Sequence, residues 1–315
     1  MMKRELNIDF MAGGKRRVAL VLSVLLILLS LASLFTRGVN LGIDFTGGTL
    51  IEVSYPESVE LPAVRQTLEE RGYDRAVVQH FGTARDVLIR VPPRTGDDDN
   101  AVSREAISED VFDALRDAAP QVERQRVEFV GPQIGDQLTE QGGLAMLYAL
   151  IGILIYVALR FEKRFALGSV VALVHDVIIT LGVFSALQIE FDLTVLAAVL
   201  AVIGYSLNDT IVVFDRIREN FLRMRKGSPA EVMNASINQT LSRTLTTSFT
   251  TLLVVLALFY LGGEIIHSFA LALLLGIVVG TYSSIFVASN LTLAMGVSKQ
   301  DLLPPVETED EEEAP

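Results

Sequence analysis

Apolar residues in this chain gather into six long runs, which are separated by polar segments of very different lengths. The runs approach or exceed the ~20 residues that a helix needs to cross a hydrocarbon layer of ~30 Å. They are Val18–Phe35, Gly142–Leu159, Ala166–Leu187, Leu193–Phe214, Thr246–Leu261 and Phe269–Met295. The pattern therefore predicts a polytopic α-helical membrane protein with six transmembrane helices.

The polar segment Arg37–Glu140, between the first two runs, has the pattern of a water-exposed domain. It holds 20 acidic and 11 basic residues. Short alternating stretches predict strands, and stretches with a helical period lie between them. The predicted strands are Thr49–Tyr55, Ala76–Phe81, Asp86–Val91 and Arg126–Val130, and the predicted helices are Leu61–Arg71 and Ser103–Ala118. This β-α-β-β-α-β order predicts an α+β domain with a ferredoxin-like fold. The loop Thr95–Asn100 is expected to be mobile.

Apart from the large polar segment Arg37–Glu140, which is net acidic, basic residues in the segments that flank the apolar runs follow an alternating pattern. Five precede the first run, three lie in Arg160–Phe165, and several more occupy Arg216–Arg243. The loops Gln188–Asp192 and Gly262–Ser268 have none. Since Lys and Arg favour the cytoplasmic side of a membrane, both termini are predicted to be cytoplasmic and the large domain periplasmic.

These patterns divide the chain into five parts. The first apolar run lacks a cleavage site of the signal-peptide type and is expected to be retained. The parts are a cytoplasmic N-terminus at 1–17, a first transmembrane helix at 18–36, a periplasmic domain at 37–140, a five-helix transmembrane bundle at 141–298 and a disordered, acidic cytoplasmic tail at 299–315.

Composition narrows the classes of function. Hydrophobic residues make up 50% of the chain, and the mean hydropathy is +0.44. The net charge of −12 argues against a nucleic-acid partner. The absence of cysteine excludes disulfides and cysteine-ligated metals. The chain has no nucleotide-binding P-loop, and its three histidines lack a metal-ligand spacing. We therefore expect neither a cofactor nor a metal, and we do not expect an enzyme.

The fourth run carries the strongest candidate residue. Asn208 and Asp209 lie inside it, about 8 Å from the polar boundary at Phe214 for a rise of ~1.5 Å per residue. A carboxylate in hydrocarbon is costly, so it indicates a functional site. Arg243 lies near the same boundary on the next predicted helix, which runs in the opposite direction. The pair could form a proton-sensitive contact. The alternative is that Asp209 only fastens neighbouring helices by hydrogen bonds.

Further polar side chains lie near or inside the predicted spans. Thr240, Thr244, Thr247 and Thr251 recur at helical spacing beside Arg243. His175 and Asp176 lie about 16 Å into the third span, near the membrane midplane. They could form a proton relay or a structural hydrogen-bonding pair, and the sequence leaves both interpretations open. Gly276 and Gly280 have the spacing of a close helix contact.

Four motifs carry a resemblance to a known family. They are LGIDFTGGTLIEV (Leu41–Val53), VGPQIG (Val130–Gly135), GYSLNDTIVVFDRIREN (Gly204–Asn220) and TLSRTLTTS (Thr240–Ser248). In this order they resemble the SecD/SecF family of the bacterial Sec translocon, within the resistance-nodulation-division superfamily. The similarity runs from Arg17 to about Met295 and leaves out the acidic tail.

The resemblance implies an accessory of protein export that uses the proton-motive force at the bacterial inner membrane. It implies SecD as a partner, which would supply the rest of the proton path, together with the SecYEG channel, YajC, YidC and a translocating preprotein. Asp209 and Arg243 match the family positions assigned to proton passage. The expected pathway comprises Asp209, Arg243, Asn208, Thr247, His175 and Asp176.

Two other functions remain open at this point. One is a proton-driven exporter of small molecules or lipids from the same superfamily, although a larger or second outer domain is expected there. The other is a purely structural assembly factor for the translocon, in which Asp209 only packs helices together.

Overall fold

The computed structural model describes residues 8–11, 13–93, 101–224 and 226–298. The predicted mobile loop Thr95–Asn100 and the predicted disordered tail at 299–315 lie outside the described residues. The α-helices are α1 (Gly13–Arg37), α2 (Ile43–Thr46), α3 (Leu61–Glu70), α4 (Ala101–Ala118), α5 (Pro132–Arg160), α6 (Lys163–Leu187), α7 (Leu193–Arg223), α8 (Pro229–Leu261), α9 (His267–Ser283) and α10 (Ser289–Ala294). The strands are β1 (Gly48–Ser54), β2 (Val77–Phe81), β3 (Thr83–Val91) and β4 (Glu123–Val130). A 3-10 turn (Glu264–Ile266) precedes α9, and a π-helical turn (Ser284–Ala288) joins α9 to α10.

Six helical segments of the described chain are long and apolar enough to cross a membrane. They are α1, α5, α6, α7, α8 and the continuous segment His267–Ala294, so the predicted six spans are confirmed.

Several helices extend well beyond their apolar runs, because capping rather than hydropathy sets where a helix begins. Asp192 caps α7 by accepting a hydrogen bond from the backbone N–H of Val195, at 2.7 Å. Ser228 and Glu231 form a capping box that starts α8 far outside the apolar run.

The four strands form one antiparallel sheet in the order β2-β3-β1-β4. With α3 and α4 as the two connecting helices, this is the predicted ferredoxin-like fold. The register pairs Ile51 with Ile89 and Val53 with Val87, and these four side chains are fully buried under α3 and α4. The alternating apolar positions thus form the domain core.

The predicted strand ends differ in detail from the observed ones. The turn between β2 and β3 is tighter than the expected Gly82–Arg85, because β3 already begins at Thr83. Gly82 makes this possible with φ = 76°, a left-handed conformation that suits glycine. β4 begins at Glu123, three residues before the predicted start, because its first part is a solvent-facing edge strand without apolar alternation.

Helices α6, α7 and the last span form the interior of the membrane bundle, whereas α1, α5 and α8 cover its outside. The glycine pair expected to mark a close contact does so against α7. A Cβ atom on Gly276 would lie 2.1 Å from Val202, and one on Gly280 would lie 3.0 Å from Ser206. These glycines bring α9 unusually close to α7, where the candidate residues lie.

The domain is fastened to the bundle through the loop between α6 and α7. Gly42 donates a backbone hydrogen bond to Phe191 at 2.9 Å, and Phe191 donates one to Asn40 at 2.8 Å. Arg90 of β3 is 7% exposed, donates to the Leu41 carbonyl at 2.5 Å and lies 3.2 Å from the Glu190 carboxylate. The domain and the α6–α7 loop therefore lie on the same side of the bundle.

Candidate functional site

Asp209 lies on α7 and joins three helical elements through its carboxylate. It is 7% exposed. Its Oδ1 accepts a hydrogen bond from the Thr244 hydroxyl of α8 at 2.7 Å, and its Oδ2 accepts one from the Ser284 hydroxyl at the start of the π-helical turn. Any change in the charge of this carboxylate would alter contacts to α8 and to the last span together.

Arg243 is not in contact with Asp209. Its side chain is exposed, and no salt bridge joins the two residues within the described chain. The reason is geometric, because adjacent residues on an α-helix point about 100° apart. Thr244 faces Asp209, so Arg243 is directed away along the helix surface. Its charge nevertheless lies within electrostatic range of the Asp209 carboxylate.

The other predicted members of this part of the pathway lie at the surface of the isolated chain. Asn208 is exposed on α7, and Thr247 is exposed on α8. The Thr247 hydroxyl bonds to carbonyls of its own helix, those of Arg243 at 3.1 Å and Thr244 at 2.9 Å. The predicted threonine row is thus divided, since Thr244 is buried against Asp209 and Thr247 faces outward.

His175 and Asp176 form a second buried polar group, deeper in the bundle. Both are 2% exposed or less. His175 Nδ1 lies 2.9 Å from Asp176 Oδ1. Asp176 Oδ2 accepts hydrogen bonds from Ser206 of α7 at 2.5 Å and from Ser283 of α9 at 2.7 Å. The group therefore links three helices. These contacts fit a structural hydrogen-bonding pair, and they equally fit a proton relay.

The histidine ring connects this group to the first span. Its Nε2 is buried without a hydrogen-bond partner in the described chain. The His175 ring stacks on the ring of Tyr282, with the ring centroids 6.3 Å apart and an angle of 27° between the ring planes. The Tyr282 hydroxyl donates to the Ala19 carbonyl of α1 at 2.7 Å and lies 3.0 Å from the Ser23 hydroxyl. Polar contacts thus run from α1 through α6 to α7 and the last span.

The sequence interpretation missed the serines that bind these carboxylates. Ser206, Ser283 and Ser284 are fully buried in the bundle. A single serine barely changes the hydropathy of a span, and small polar residues are common at helix contacts in membranes. The available signal was the pair of adjacent serines in the last span, close to the Gly276–Gly280 contact.

The described residues contain no cluster of three or more potential metal ligands. His80 is exposed on β2, and the ring of His267 packs 4.0 Å from that of Phe259. The polar groups that contact Asp176 and Asp209 are hydroxyls and one imidazole, and together with the two carboxylates these are groups that can accept or donate protons.

Comparison with known proteins identifies the family of this chain. Residues 110–298 match the family model described as protein export membrane protein SecD/SecF, C-terminal. Residues 32–55 match the SecD/SecF GG motif. A protein translocase subunit SecF from Vibrio alginolyticus is 58% identical over 306 residues, which cover 97% of this chain and 95% of the relative. The SecF of Escherichia coli O157:H7 is 44% identical, with 90% of this chain and 86% of the relative covered.

The fold is also similar to that of a solved protein. The crystal structure of SecDF, a translocon-associated membrane protein from Thermus thermophilus, superposes with a TM-score of 0.83 at 41% identity. The match covers 94% of this chain and 40% of the SecDF chain, so this chain corresponds to less than half of that protein. A SecDF structure in a super-membrane-facing form gives a TM-score of 0.68. On the family model and the identity to its relatives, the chain belongs to the SecD/SecF family of protein-export membrane proteins.

Proposed function

We propose that this chain is an accessory subunit of the Sec protein translocase that works with SecD and uses the proton-motive force to promote preprotein export. Its relatives are named as translocase subunits. The observation that carries the proton-driven part is the Asp209 carboxylate, buried in the membrane bundle and held by hydroxyls from α8 and the last span.

Protonation of this carboxylate would weaken both hydrogen bonds at once. An ionised carboxylate only accepts hydrogen bonds, whereas a protonated one donates one of its own. Charge-assisted bonds are about twice as strong as neutral ones, so the contacts of α7 with α8 and with the last span would loosen together. A proton crossing ~100 mV releases about 2.3 kcal/mol, which corresponds to about a fiftyfold shift in a conformational equilibrium.

Polar side chains on the outside of the bundle support a partner in the membrane. Asn208, Arg243 and Thr247 are exposed in the isolated chain, and polar groups facing lipid are costly. A SecD subunit covering this face would remove that cost and complete the proton path. This chain matches 40% of the length of SecDF, and the proposal assigns the remaining part of such an assembly to SecD. SecYEG, YajC and YidC complete the proposed set of partners.

The proposed site of action is the bacterial inner membrane, with both termini cytoplasmic and the ferredoxin-like domain periplasmic, where it would meet the emerging polypeptide. Single cysteines in this cysteine-free chain test that orientation. Glu57→Cys in the domain should react with an impermeant thiol reagent in intact spheroplasts. Lys226→Cys, in the loop between α7 and α8, should react only after lysis, and the reverse pattern would refute the orientation.

A purely structural role in translocon assembly is the second candidate. It is favoured by the same hydrogen bonds, because an Asp that links three helical elements also fits a packing residue. The two functions differ in one respect, which is whether the effect of Asp209 depends on a proton gradient.

The decisive experiment measures export of a preprotein into inverted vesicles that contain this subunit and SecD, with the gradient present or collapsed. We expect Asp209→Asn to lose the gradient-dependent part of export and to keep the ATP-driven part. The matched control is Asp215→Asn, which makes the same change at the exposed end of α7, where Asp215 pairs with Arg160. If Asp209→Asn retains the full gradient-dependent increment at normal protein levels, the proton-driven function is wrong and the structural one is favoured.

A further inference from the structure

Two adjacent serines connect the two buried carboxylates of the bundle. Ser283 ends α9 and donates to Asp176 Oδ2 at 2.7 Å. Ser284 begins the π-helical turn and donates to Asp209 Oδ2. Adjacent residues of a helix point in directions about 100° apart, so one short segment of the last span reaches a carboxylate on α6 and another on α7.

Each of these serines has a second acceptor within its own helix. The Ser283 hydroxyl lies 3.1 Å from the Gly280 carbonyl, and the Ser284 hydroxyl lies 3.1 Å from the Thr281 carbonyl. A serine hydroxyl carries a single hydrogen, so it donates to the carboxylate or to the carbonyl, but not fully to both. The two hydroxyls can therefore rotate between two positions.

The opposite partners of the carboxylates have no such choice. Within the described chain, Ser206 donates only to Asp176 and Thr244 donates only to Asp209. When a carboxylate is ionised, it accepts from both of its hydroxyl partners. When it is protonated, its new O–H can donate to the serine oxygen, and the serine hydrogen turns to the carbonyl of its own helix. The switching member of each pair is thus the serine on the last span.

The two serines lie where the backbone can change. The turn Ser284–Ala288 is π-helical, and the Ser289 hydroxyl bonds to the Ser284 carbonyl at 3.1 Å. π-helical turns inside α-helices are rare and often mark functional sites. Loosening Ser284 from Asp209 would let this segment shift, and the adjacent Ser283 could then tighten its hydrogen bond to Asp176.

We propose that Ser283 and Ser284 are positioning residues that couple the protonation of Asp176 and Asp209, so that a proton on one carboxylate disfavours a proton on the other. The proposal deepens the proton-driven function and rests on it for its role in export. The proton that binds Asp209 stays on its carboxyl group. What passes to Asp176 is a change in hydrogen bonding through the shared helical segment.

Among the described residues, the helices packed around the two carboxylates carry four other ionisable side chains near them. His175 bonds to Asp176 within α6, and Tyr282 of α9 stacks on His175. Arg243 of α8 acts on Asp209 through space. Tyr205 of α7 bonds to Ser248. The imidazole lies beside Asp176 and the guanidinium on the side of Asp209, so each carboxylate has its own neighbour and the serines are the direct link between the two carboxylates.

The test is an infrared titration of the purified full-length protein in lipid nanodiscs, from about pH 4 to about pH 10. The carbonyl bands of the protonated carboxyl groups are assigned with Asp176→Asn and Asp209→Asn. We expect Ser284→Ala to change the proton affinity of Asp209 about tenfold, which is about one pH unit for one lost hydrogen bond to a charged group. The midpoint of Asp176, which Ser284 does not touch, should move in the opposite direction.

Two further variants separate coupling from a structural role. Ser284→Thr keeps the hydroxyl group, so the titration midpoints of both carboxyl groups should stay at their wild-type values. Ser169→Ala removes a fully buried serine of α6 whose hydroxyl bonds only to the Phe165 carbonyl of its own helix within the described chain, and it should leave both midpoints unchanged. If Ser284→Ala moves the Asp209 midpoint alone, or if neither carboxyl group titrates, the coupling is refuted. The infrared titration does not depend on export, so it tests the coupling separately from the proposed function. If the coupling is intact but export does not depend on the gradient, the proposed function is refuted and the coupling stands.

Discussion

The ferredoxin-like domain and the membrane bundle both bury apolar side chains, but the bundle also buries carboxylates at its centre. The centre of the domain is apolar, with Ile51, Val87 and Ile89 fully buried between the sheet and its two helices. The centre of the bundle instead contains Asp176 and Asp209, each held by hydroxyls from other helices.

The difference follows from the solvent of each part. In water, burial of apolar area stabilises a fold. In a bilayer, lipid tails are as apolar as leucine, so helices associate through close packing and hydrogen bonds. The buried polar groups of the bundle can therefore hold helices together and also bind protons, whereas the buried groups of the domain contribute to stability alone.

The largest effect on stability is expected at Asp176. Asp176→Ala removes the acceptor of His175, Ser206 and Ser283 together and leaves them buried without it. The loss should be about 3 kcal/mol, measured by reversible unfolding of the purified protein in mixed micelles. Asp176→Asn keeps one acceptor oxygen and should lose clearly less. Equal, small losses for both variants would mean that the bundle does not depend on its buried polar groups.

The domain should respond to the removal of apolar volume instead. Residues 40–138 alone should be soluble and unfold cooperatively. In that fragment, Val87→Ala should cost about 2 kcal/mol, because Val87 is fully buried. Val127→Ala makes the same change at a side chain that is 41% exposed, and it should cost less than about 0.5 kcal/mol. Urea titration measures both losses, and similar values for the two variants would contradict the assigned core.

A smaller effect, dependent on pH, is expected at the junction of the two parts. Burial raises the pKa of Glu190, the nearby Asp192 adds to this, and Arg90 and Gln79 oppose it. Because the pKa is higher in the folded state, the stabilisation is complete below the unfolded pKa of about 4.3 and is lost as the pH rises through the folded value.

Glu190→Gln should abolish this dependence. The measurement is hydrogen exchange at the Gly42 amide, which bonds to Phe191 across the junction, after correction for intrinsic exchange rates. The exposed Glu57→Gln serves as the control. If protection of the Gly42 amide in the wild type instead weakens as the pH falls, the attraction of Arg90 lowers the pKa of Glu190 by more than burial raises it.

The smallest effect, of opposite sign, is expected at Asp86 in the domain. Ser54 and Thr83 each donate a hydrogen bond to its carboxylate at 2.5 Å, and these bonds lower its pKa. The stabilisation is therefore present above the unfolded pKa of about 3.9 and is lost as the pH falls through the folded value. Asp86→Asn should reduce the sensitivity of the 40–138 fragment to acid unfolding below about pH 4. If Asp86→Asn and the wild type unfold at the same acidic pH, Asp86 does not contribute to this stabilisation.

The sequence by itself determined the six spans, the ferredoxin-like order of elements and two of the buried groups of the bundle. These features depend on local composition: a run of apolar residues predicts a span, alternation predicts a strand, and a carboxylate in an apolar run is conspicuous because it is costly there. Asp176 and Asp209 stand out for that reason alone.

Only the tertiary structure decided what these carboxylates touch. Arg243 and Asp209 lie at a similar height on neighbouring helices. Thr244 points toward Asp209, so the adjacent Arg243 points away from it. Ser283 and Ser284 carry no hydropathy signal, yet the close approach of α9 to α7 at Gly280 brings them between the two carboxylates. Hydrogen-bond partners on different helices are set by rotation about each helix axis and by helix separation, which are properties of the packed bundle that no single stretch of sequence contains.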